Sequence, residues 1–329
     1  MATTNSYNFV MTRDNIITDA LLHIGAIGEG ETPSANAVTE AARVLNMLAK
    51  LRSAASGMPL WAIKRGVILP VTDTNSVTTI SHIVQADSYV ETAVGADEAA
   101  AQTDITVDSI TGISNGDAIG VELDDGTMQW TTVNGVPSGT TVVLTAALTS
   151  AASDGNKIYA YTASSDRISR PLRVYSATVK ETTNDISWEI DIEDREDFWK
   201  ITNVTTESVP TMLYYEPGLG SAVADPATAT TWYGTFNFWP RFNGGDHVIE
   251  FTYQRPSQDF DAAGDHPDFP QEFYLPLVLE LAALLGPRYG VEPSERARLF
   301  TEAAMYLEEA LVSITSEGSM TLQPDTTRG

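Results

Sequence analysis

The sequence has no cysteine, few histidines and no long apolar run, and each absence excludes a class of protein. Without cysteine there is no disulfide, no thiolate nucleophile and no cysteine metal cluster. The histidines are too scattered to predict a zinc site: they are His23, His82, His247 and His266. A membrane-spanning helix needs about 20 consecutive apolar residues and a signal peptide needs a basic-then-apolar start, and neither occurs. We therefore expect a globular protein, made in the cytoplasm, with no cofactor and no membrane partner.

Basic residues are also scarce, because 19 Lys and Arg stand against 44 Asp and Glu, for a net charge of −25. Binding to phosphate backbones depends on clustered Lys and Arg, so this balance argues against an electrostatic nucleic-acid binder. The charge is uneven, at +1 over residues 1–70, −11 over 71–165 and −15 over 166–329. Such an acidic protein stays soluble at high concentration and repels DNA that only passes by.

Apolar residues at helical spacing predict an antiparallel pair of helices near the N-terminus. The first helix follows a cap region at Thr12 and Asp14, and the second is capped by Ser34 and stops at Ser56-Gly57. The predicted buried positions are Ile16, Ile17, Ala20, Leu21 and Ile24 in the first helix and Val38, Ala41, Leu45 and Leu48 in the second.

Residues 71–165 are rich in Thr, Ser, Asp, Gly and Val with short alternating runs, which predicts a small all-β module, a barrel or a sandwich. Further strands are expected at 186–192, 212–215, 235–239 and 247–253. The last two strands flank Asn243-Gly244-Gly245, so we expect them to form a hairpin. Asp124-Asp125-Gly126 predicts another hairpin turn, within the module.

Two helices are predicted near the C-terminus. One begins at Pro270, runs through Pro276-Leu277-Val278-Leu279-Glu280-Leu281 and stops at Gly286-Pro287. The other begins at Pro293. Its predicted apolar stripe consists of Leu299, Phe300, Ala303, Ala304, Leu307, Leu311 and Ile314. Residues 315–329 are polar and are expected to form a flexible tail.

These elements predict the α+β class. We expect an N-terminal helical hairpin and first strand over residues 1–70, an inserted acidic β-barrel or sandwich module over 71–165, and a central antiparallel β region over 166–269. The C-terminal helices over 270–314 are expected to pack on the N-terminal hairpin, forming one helical domain.

Two acidic clusters invite a functional interpretation. Paired carboxylates hydrolyse glycosides only across a cleft at a fixed separation, so a run of neighbouring acids predicts a solvated surface instead. That run is Asp191, Glu193, Asp194, Glu196 and Asp197. A second set, Asp259, Asp261, Gly264, Asp265 and Asp268, has part of the spacing of a calcium loop. Ala263 and Pro270 stand where that loop needs ligands, so we expect no metal.

An aromatic cluster could stack on sugar rings. Its members are Trp232, Tyr233, Phe236, Phe238, Trp239 and Phe242. Phe236 and Phe238 would share one face of a strand, which is more typical of a core. No nucleophile has an identifiable base beside it, so the sequence does not predict an enzyme.

The joint order of several segments resembles the head-to-tail adaptor proteins of short-tailed phages, also called connector, tail tubular or tail accessory proteins. The segments are Ala20-Leu21-Leu22-His23-Ile24-Gly25, Leu45-Asn46-Met47-Leu48, Arg195-Glu196-Asp197-Phe198-Trp199, and the stretch from Pro270-Gln271-Glu272-Phe273 to Tyr289-Gly290. The likeness covers residues 12–70 and 166–314, and the module at 71–165 goes beyond the family pattern.

The resemblance implies a structural virion protein of the neck and tail. Such proteins form a ring of about twelve copies under the portal, held by heterologous contacts. They extend the DNA channel, through which DNA passes without specific binding, and anchor the tail nozzle or fibres. The polar tail would order on the portal protein. We expect its contacts at Met320, Leu322 and Pro324.

Two alternatives stay open at this point. A phage tail protein that binds or hydrolyses surface glycan through its β regions would act as a monomer. A soluble β-rich binding protein unrelated to virions would neither form a ring nor bind a portal.

Overall fold

The computed structural model describes residues 9–54, 62–220 and 233–312. The chain divides into two compact units. Residues 63–256 form one unit, here called the β unit, and the segments on either side, 1–62 and 257–329, form the helical unit. Helices and several antiparallel sheets occur together, so the predicted α+β class is confirmed.

The helices of the described residues are, in chain order, α1 (Arg13–His23), α2 (Ala35–Ala54), α3 (Arg195–Phe198), α4 (Tyr274–Leu285) and α5 (Pro293–Val312). The strands are β1 (Ile63–Ile68), β2 (Ser76–Thr78), β3 (Ile83–Gln85), β4 (Val90–Ala93), β5 (Asp104–Thr106), β6 (Ala118–Glu122), β7 (Met128–Thr132), β8 (Thr141–Val143), β9 (Lys157–Tyr161), β10 (Arg173–Glu181), β11 (Ile186–Glu189), β12 (Asp191–Ile192), β13 (Met212–Gly220), β14 (Tyr233–Trp239) and β15 (His247–Gln254).

The first two helices follow the sequence pattern. The side chain of Thr12 accepts a hydrogen bond from the amide of Asn15, and that of Ser34 accepts one from the amide of Ala37. These bonds satisfy amides that a helix start leaves without partners. The predicted apolar stripes are buried, apart from Ile24 and Val38, which are partly buried and pack against the same core.

Helix α4 is apolar on nearly every side and lies at the centre of the helical unit. A 3-10 turn at Gln271–Phe273 follows Pro270, so the α-helix itself begins later, at Tyr274. A second 3-10 turn at Gly286–Tyr289 ends at Gly290, whose φ of 74° is the left-handed conformation that glycine adopts without strain. The two ends of the predicted helix, next to Pro270 and at Gly286-Pro287, therefore form 3-10 turns. The α-helix between them is shorter than the sequence predicts.

Helix α5 begins at Pro293 as predicted, but its stripe is only partly buried. Leu299 and Ala303 are buried, whereas Phe300 is 38 % exposed and Ala304 is exposed. Residue Ala310, outside the predicted stripe, is buried instead. The last predicted position, Ile314, lies outside the described residues.

The β unit contains two sheets that pack face to face. One has the strand order β11-β10-β15-β1-β3 and the other β12-β13-β14-β2. Alternating side chains of β15 divide between two cores, because Ile249 and Phe251 face the second sheet while Val248 faces the opposite way. The core between these two sheets combines aliphatic side chains with several aromatic rings, including Phe236 and Phe238 of β14.

A third sheet, β4-β9-β6-β7, packs on the other face of the five-stranded sheet. It surrounds its own core together with the two-stranded sheet β5-β8. Side chains of β6, β7 and β9 meet those of β1, β3 and β15 in the contact between the layers. The turn at Gly126, with φ of 81°, connects β6 and β7 as the predicted hairpin.

The hairpin predicted across Asn243-Gly244-Gly245 is wrong. Strand β14 pairs with β13 and β2, whereas β15 pairs with β1 and β10 in a different sheet. The glycines have another purpose, since a Cβ on Gly244 or Gly245 would lie within 3.0 Å of the Glu122 carboxylate. They allow the third sheet to approach this loop.

The prediction of one strand at 186–192 is wrong as well, because this segment forms two strands, β11 and β12. β11 pairs with β10 in the first sheet, and β12 pairs in parallel with β13 in the second. Between them Ile190 is buried, so the chain passes from one sheet to the other at this point. The segment therefore forms an outer strand of the first sheet with β11 and an outer strand of the second sheet with β12.

Candidate interaction surface

The portal contacts predicted at Met320, Leu322 and Pro324 lie outside the described residues. The nearest described part of the chain is the end of α5 at Val312, which is 71 % exposed.

The acidic run near residue 194 serves local structure. The carboxylate of Asp194 accepts a hydrogen bond of 2.9 Å from the amide of Asp197 and caps α3. Asp197 forms an ion pair with Lys200. Phe198 is buried against Tyr214, with ring centroids 5.8 Å apart. These contacts hold a turn over the second sheet and do not set carboxylates across a cleft.

The calcium-like loop is organised by backbone contacts. Asp265 accepts hydrogen bonds from the amides of Ala262, at 2.6 Å, and Asp261, at 2.7 Å, and these bonds lower its pKa. Asp268 accepts from the amide of Gln258. In the described ranges, no group of three His, Asp or Glu side chains is placed to hold a metal ion.

The aromatic cluster is mostly internal. Phe236, Phe238 and Phe242 are buried and pack against each other or against the five-stranded sheet. Trp239 donates its indole N–H to the carbonyl of Asn203. Trp232 lies outside the described residues. Three of the predicted rings are therefore closed to a sugar.

A crevice of about 360 Å³ lies at the edge of β2, beside the third sheet. Its lining carries no Asp, Glu, Lys or Arg and consists of Val71, Thr72, Thr74, Ser76, Val77, Thr78, Ser81, His82, Met128 and Trp130. The ring of His82 stacks on Trp130 at a centroid distance of 4.0 Å. A Cβ on Gly120 would lie 2.8 Å from the same indole, so Trp130 also packs closely against the backbone of β6.

Burial and the nearby Arg167 lower the pKa of His82 to about 4, so its imidazole is neutral at pH 7. Its Nδ1 lies 3.2 Å from the hydroxyl oxygen of Tyr161. His82, Trp130 and Tyr161 come from three separate segments, and no sequence spacing connects them. Together they form an aromatic contact between the third sheet, which contains Trp130 and Tyr161, and the segment before β3 of the five-stranded sheet, which contains His82.

The helical unit leaves several large apolar side chains exposed. On α2, Met47 and Leu51 are one turn apart and are 58 % and 68 % exposed, respectively. We call these two residues the α2 apolar pair. Other exposed apolar side chains of this unit are Phe9, Val10, Leu22, Leu275, Leu284, Tyr289, Phe300, Met305 and Val312.

Asn46, next to this pair, holds the chain that leads to α4. Its side-chain oxygen accepts from the amide of Phe260 at 2.8 Å, and its amide nitrogen donates to the carbonyl of Phe260 at 3.2 Å. Lys50 donates to the carbonyl of Ser257 and pairs with Asp259. Residues 257–260, grouped by sequence with the central β region, thus pack with the helices.

No protein-family model matches the chain, and a search of curated proteins finds no significant match. No helix in the described ranges is both long and apolar enough to cross a membrane.

Proposed function

We propose that this protein is a structural component of a phage virion, a head-to-tail adaptor. About twelve copies form a ring under the portal, extend the DNA channel and anchor the tail nozzle or fibres. The protein is made in the host cytoplasm and ends in the neck of the virion. Its role is assembly and not catalysis, and it needs no cofactor.

The architecture that supports this proposal is a helical domain built from both ends of the chain, a central β region and an inserted β module. Segments that carry the family resemblance have structural roles consistent with it. Asn46 anchors Phe260, and Phe198 fixes the turn over the second sheet. Pro270 stands before the 3-10 turn that leads into α4.

The α2 apolar pair is the observation that carries the proposal. Full burial of an exposed Met or Leu side chain is worth about 1.5–3 kcal/mol, so covering the exposed parts of Met47 and Leu51 recovers only a share of that amount for each. A ring needs a face on each subunit that a different face of the next copy covers. The pair provides such a face on a rigid helix, where Asn46 and Lys50 also hold the neighbouring loop.

Charge supports the passage of DNA. A chain with net charge −25 repels the phosphate backbone, so DNA in a channel lined by such subunits moves without adhering.

The experiment compares the solution mass of the wild type with that of a double variant, Met47→Glu and Leu51→Glu. Glutamate retains good helix propensity, so α2 persists while its apolar contact is lost. The matched control is Val136→Glu, at an apolar position of the β unit that is 85 % exposed. We expect rings for the wild type and the control and monomers for the double variant. A double variant that forms normal rings, or a wild type that never forms them under assembly conditions, would overturn the proposal.

A further inference from the structure

The outer strand β11 is an open edge of the five-stranded sheet. All four of its residues are exposed. The opposite edge is covered, because Gln85 of β3 donates to the carbonyl of Asp166 at 2.8 Å and Ile83 accepts from the amide of Ile168. Within the described ranges, no strand pairs with the outer side of β11.

The register shows which backbone groups point outward. The amide of Ile190 donates to the carbonyl of Ala177 at 3.1 Å, and β11 continues in the same antiparallel register. In antiparallel pairs, alternate residues direct both backbone groups towards the partner strand. Ile186 and Trp188 therefore bond towards β10, whereas the amides and carbonyls of Ser187 and Glu189 point away from the sheet.

Apolar side chains accompany this edge. Ile186 and Trp188 are 47 % and 43 % exposed and lie on one face of the strand, opposite Glu181 and Val179. The indole of Trp188 lies 6.1 Å from the ring of His247, and much of its remaining surface is exposed to solvent. An added strand would cover this apolar face while it satisfies the outward backbone groups.

The surrounding charge selects the partner. Residues 186–200 contain six acids and two bases, a net charge of −4. Pairing of β11 with β11 of a second copy would bring these acids together, which is a common defence of edge strands against self-association. Residues 1–8 have no charged side chain and residues 313–329 have two acids and one base, so neither of these segments supplies the complementary positive charge.

The geometry points to a docking edge at β11 for an extended, basic segment of another protein, which pairs as a sixth strand of this sheet. Protection of the edge against self-association accounts for the acidic residues. It does not account for the exposure of the apolar side chains of Ile186 and Trp188. A partner with alternating basic and apolar residues meets both features, because its apolar side chains cover Trp188 while its bases approach Glu189 and Asp191. This surface belongs to the β unit and does not depend on ring formation.

The test measures binding of a fluorescein-labelled peptide of alternating lysine and valine to the full chain by fluorescence anisotropy. A peptide with the same lysines separated by glycine and serine has the same charge but poor strand propensity. We expect the lysine–valine peptide to bind more tightly, with an affinity that falls as salt rises.

Ser187→Pro removes one outward amide, and proline is tolerated in edge strands when its N–H side faces solvent. We expect it to weaken binding about tenfold, the effect of one lost hydrogen bond. Ser187→Ala keeps the amide and is the matched control, for which we expect wild-type affinity. Circular dichroism and thermal melting check that each variant is folded.

If Ser187→Pro fails to fold, the double variant Glu189→Lys and Asp191→Lys decides, because both side chains are exposed and their reversal should abolish peptide binding. Wild-type affinity in a folded Ser187→Pro or in the charge-reversal variant would overturn the inference. So would equal affinity for the two peptides, or no binding to the wild type.

Discussion

The carboxylate of Glu122, at the end of β6, accepts a hydrogen bond of 2.8 Å from the amide of Gly245 in the loop before β15. The same carboxylate accepts from the amide of Lys157 at 3.1 Å. Close by, the hydroxyl of Tyr159 donates to the carbonyl of Gly245 at 2.7 Å. The third sheet is therefore fixed to the loop before β15 by charge-assisted and buried hydrogen bonds.

Replacing Gly245 with alanine should weaken this contact. The new Cβ would lie 2.9 Å from a Glu122 oxygen and from Cε of Met128, so the carboxylate must shift, which weakens the hydrogen bond that it accepts from the Gly245 amide. We expect the free energy of unfolding to fall by about 1–2 kcal/mol, measured by urea denaturation. Gly264→Ala is the control, because no atom lies within 4 Å of its added Cβ. Equal effects of the two substitutions would contradict the docking role of Glu122.

The stability of the protein should depend on His82 in mildly acidic solution. Its folded pKa of about 4 lies below the ordinary value of 6.5, so the unfolded chain binds more protons between these values. The contribution of neutral His82 is therefore complete above pH 6.5 and is lost as the pH falls towards 4.

We expect the His82 contribution to change by up to about 3 kcal/mol across this window. The measurement compares unfolding free energies of the wild type and His82→Phe from pH 7 to pH 4, since phenylalanine keeps an aromatic ring against Trp130 but has no titrating group. Parallel pH curves for the two proteins would show that His82 is not buried in its neutral form.

Arg52 should be important to the helical unit because it pairs with a buried carboxylate. Its Nε donates to Glu280 at 2.8 Å, and the side chain of Glu280 is only 5 % exposed. Arg52→Met leaves that charge buried without its partner, so we expect a loss of about 2 kcal/mol or more in thermal or urea unfolding. The double variant Arg52→Met and Glu280→Met should recover most of this stability.

The control for Arg52 is Arg288→Met. Arg288 pairs with Glu40 at 2.7 Å, but both side chains are about half exposed, so the loss should stay below about 1 kcal/mol. A cost for Arg52→Met no larger than that of the control would mean that solvent screens Glu280.

The helices of this fold were predictable because their signals are local. Thr12 and Ser34 cap helices whose apolar residues recur at fixed spacing, and Leu45 is buried where the pattern places it. Strand pairing was not predictable in the same way, because β1 pairs with β15, nearly two hundred positions away in the chain. Gly244 and Gly245, before β15, indicated a turn. No local pattern indicated that Glu122 would accept a hydrogen bond from this turn.

The residues of the candidate surfaces were likewise predictable only where their signal in the sequence is local. The sequence identified Phe236 and Phe238 as core residues by alternation, and they are buried. It gave no sign that His82 would meet Trp130, because three-dimensional proximity between separate segments has no local pattern. The open edge at Trp188 was hidden for a related reason, since only the sheet order shows which strand is outermost.

The most direct measurement is the mass of the complex formed when the purified protein is mixed with the portal protein of its own phage, with and without residues 315–329. We predict a portal-bound ring of about twelve copies that depends on the tail, with weaker binding when Met320, Leu322 and Pro324 are replaced. A monomer that ignores the portal with or without the tail would contradict the adaptor function.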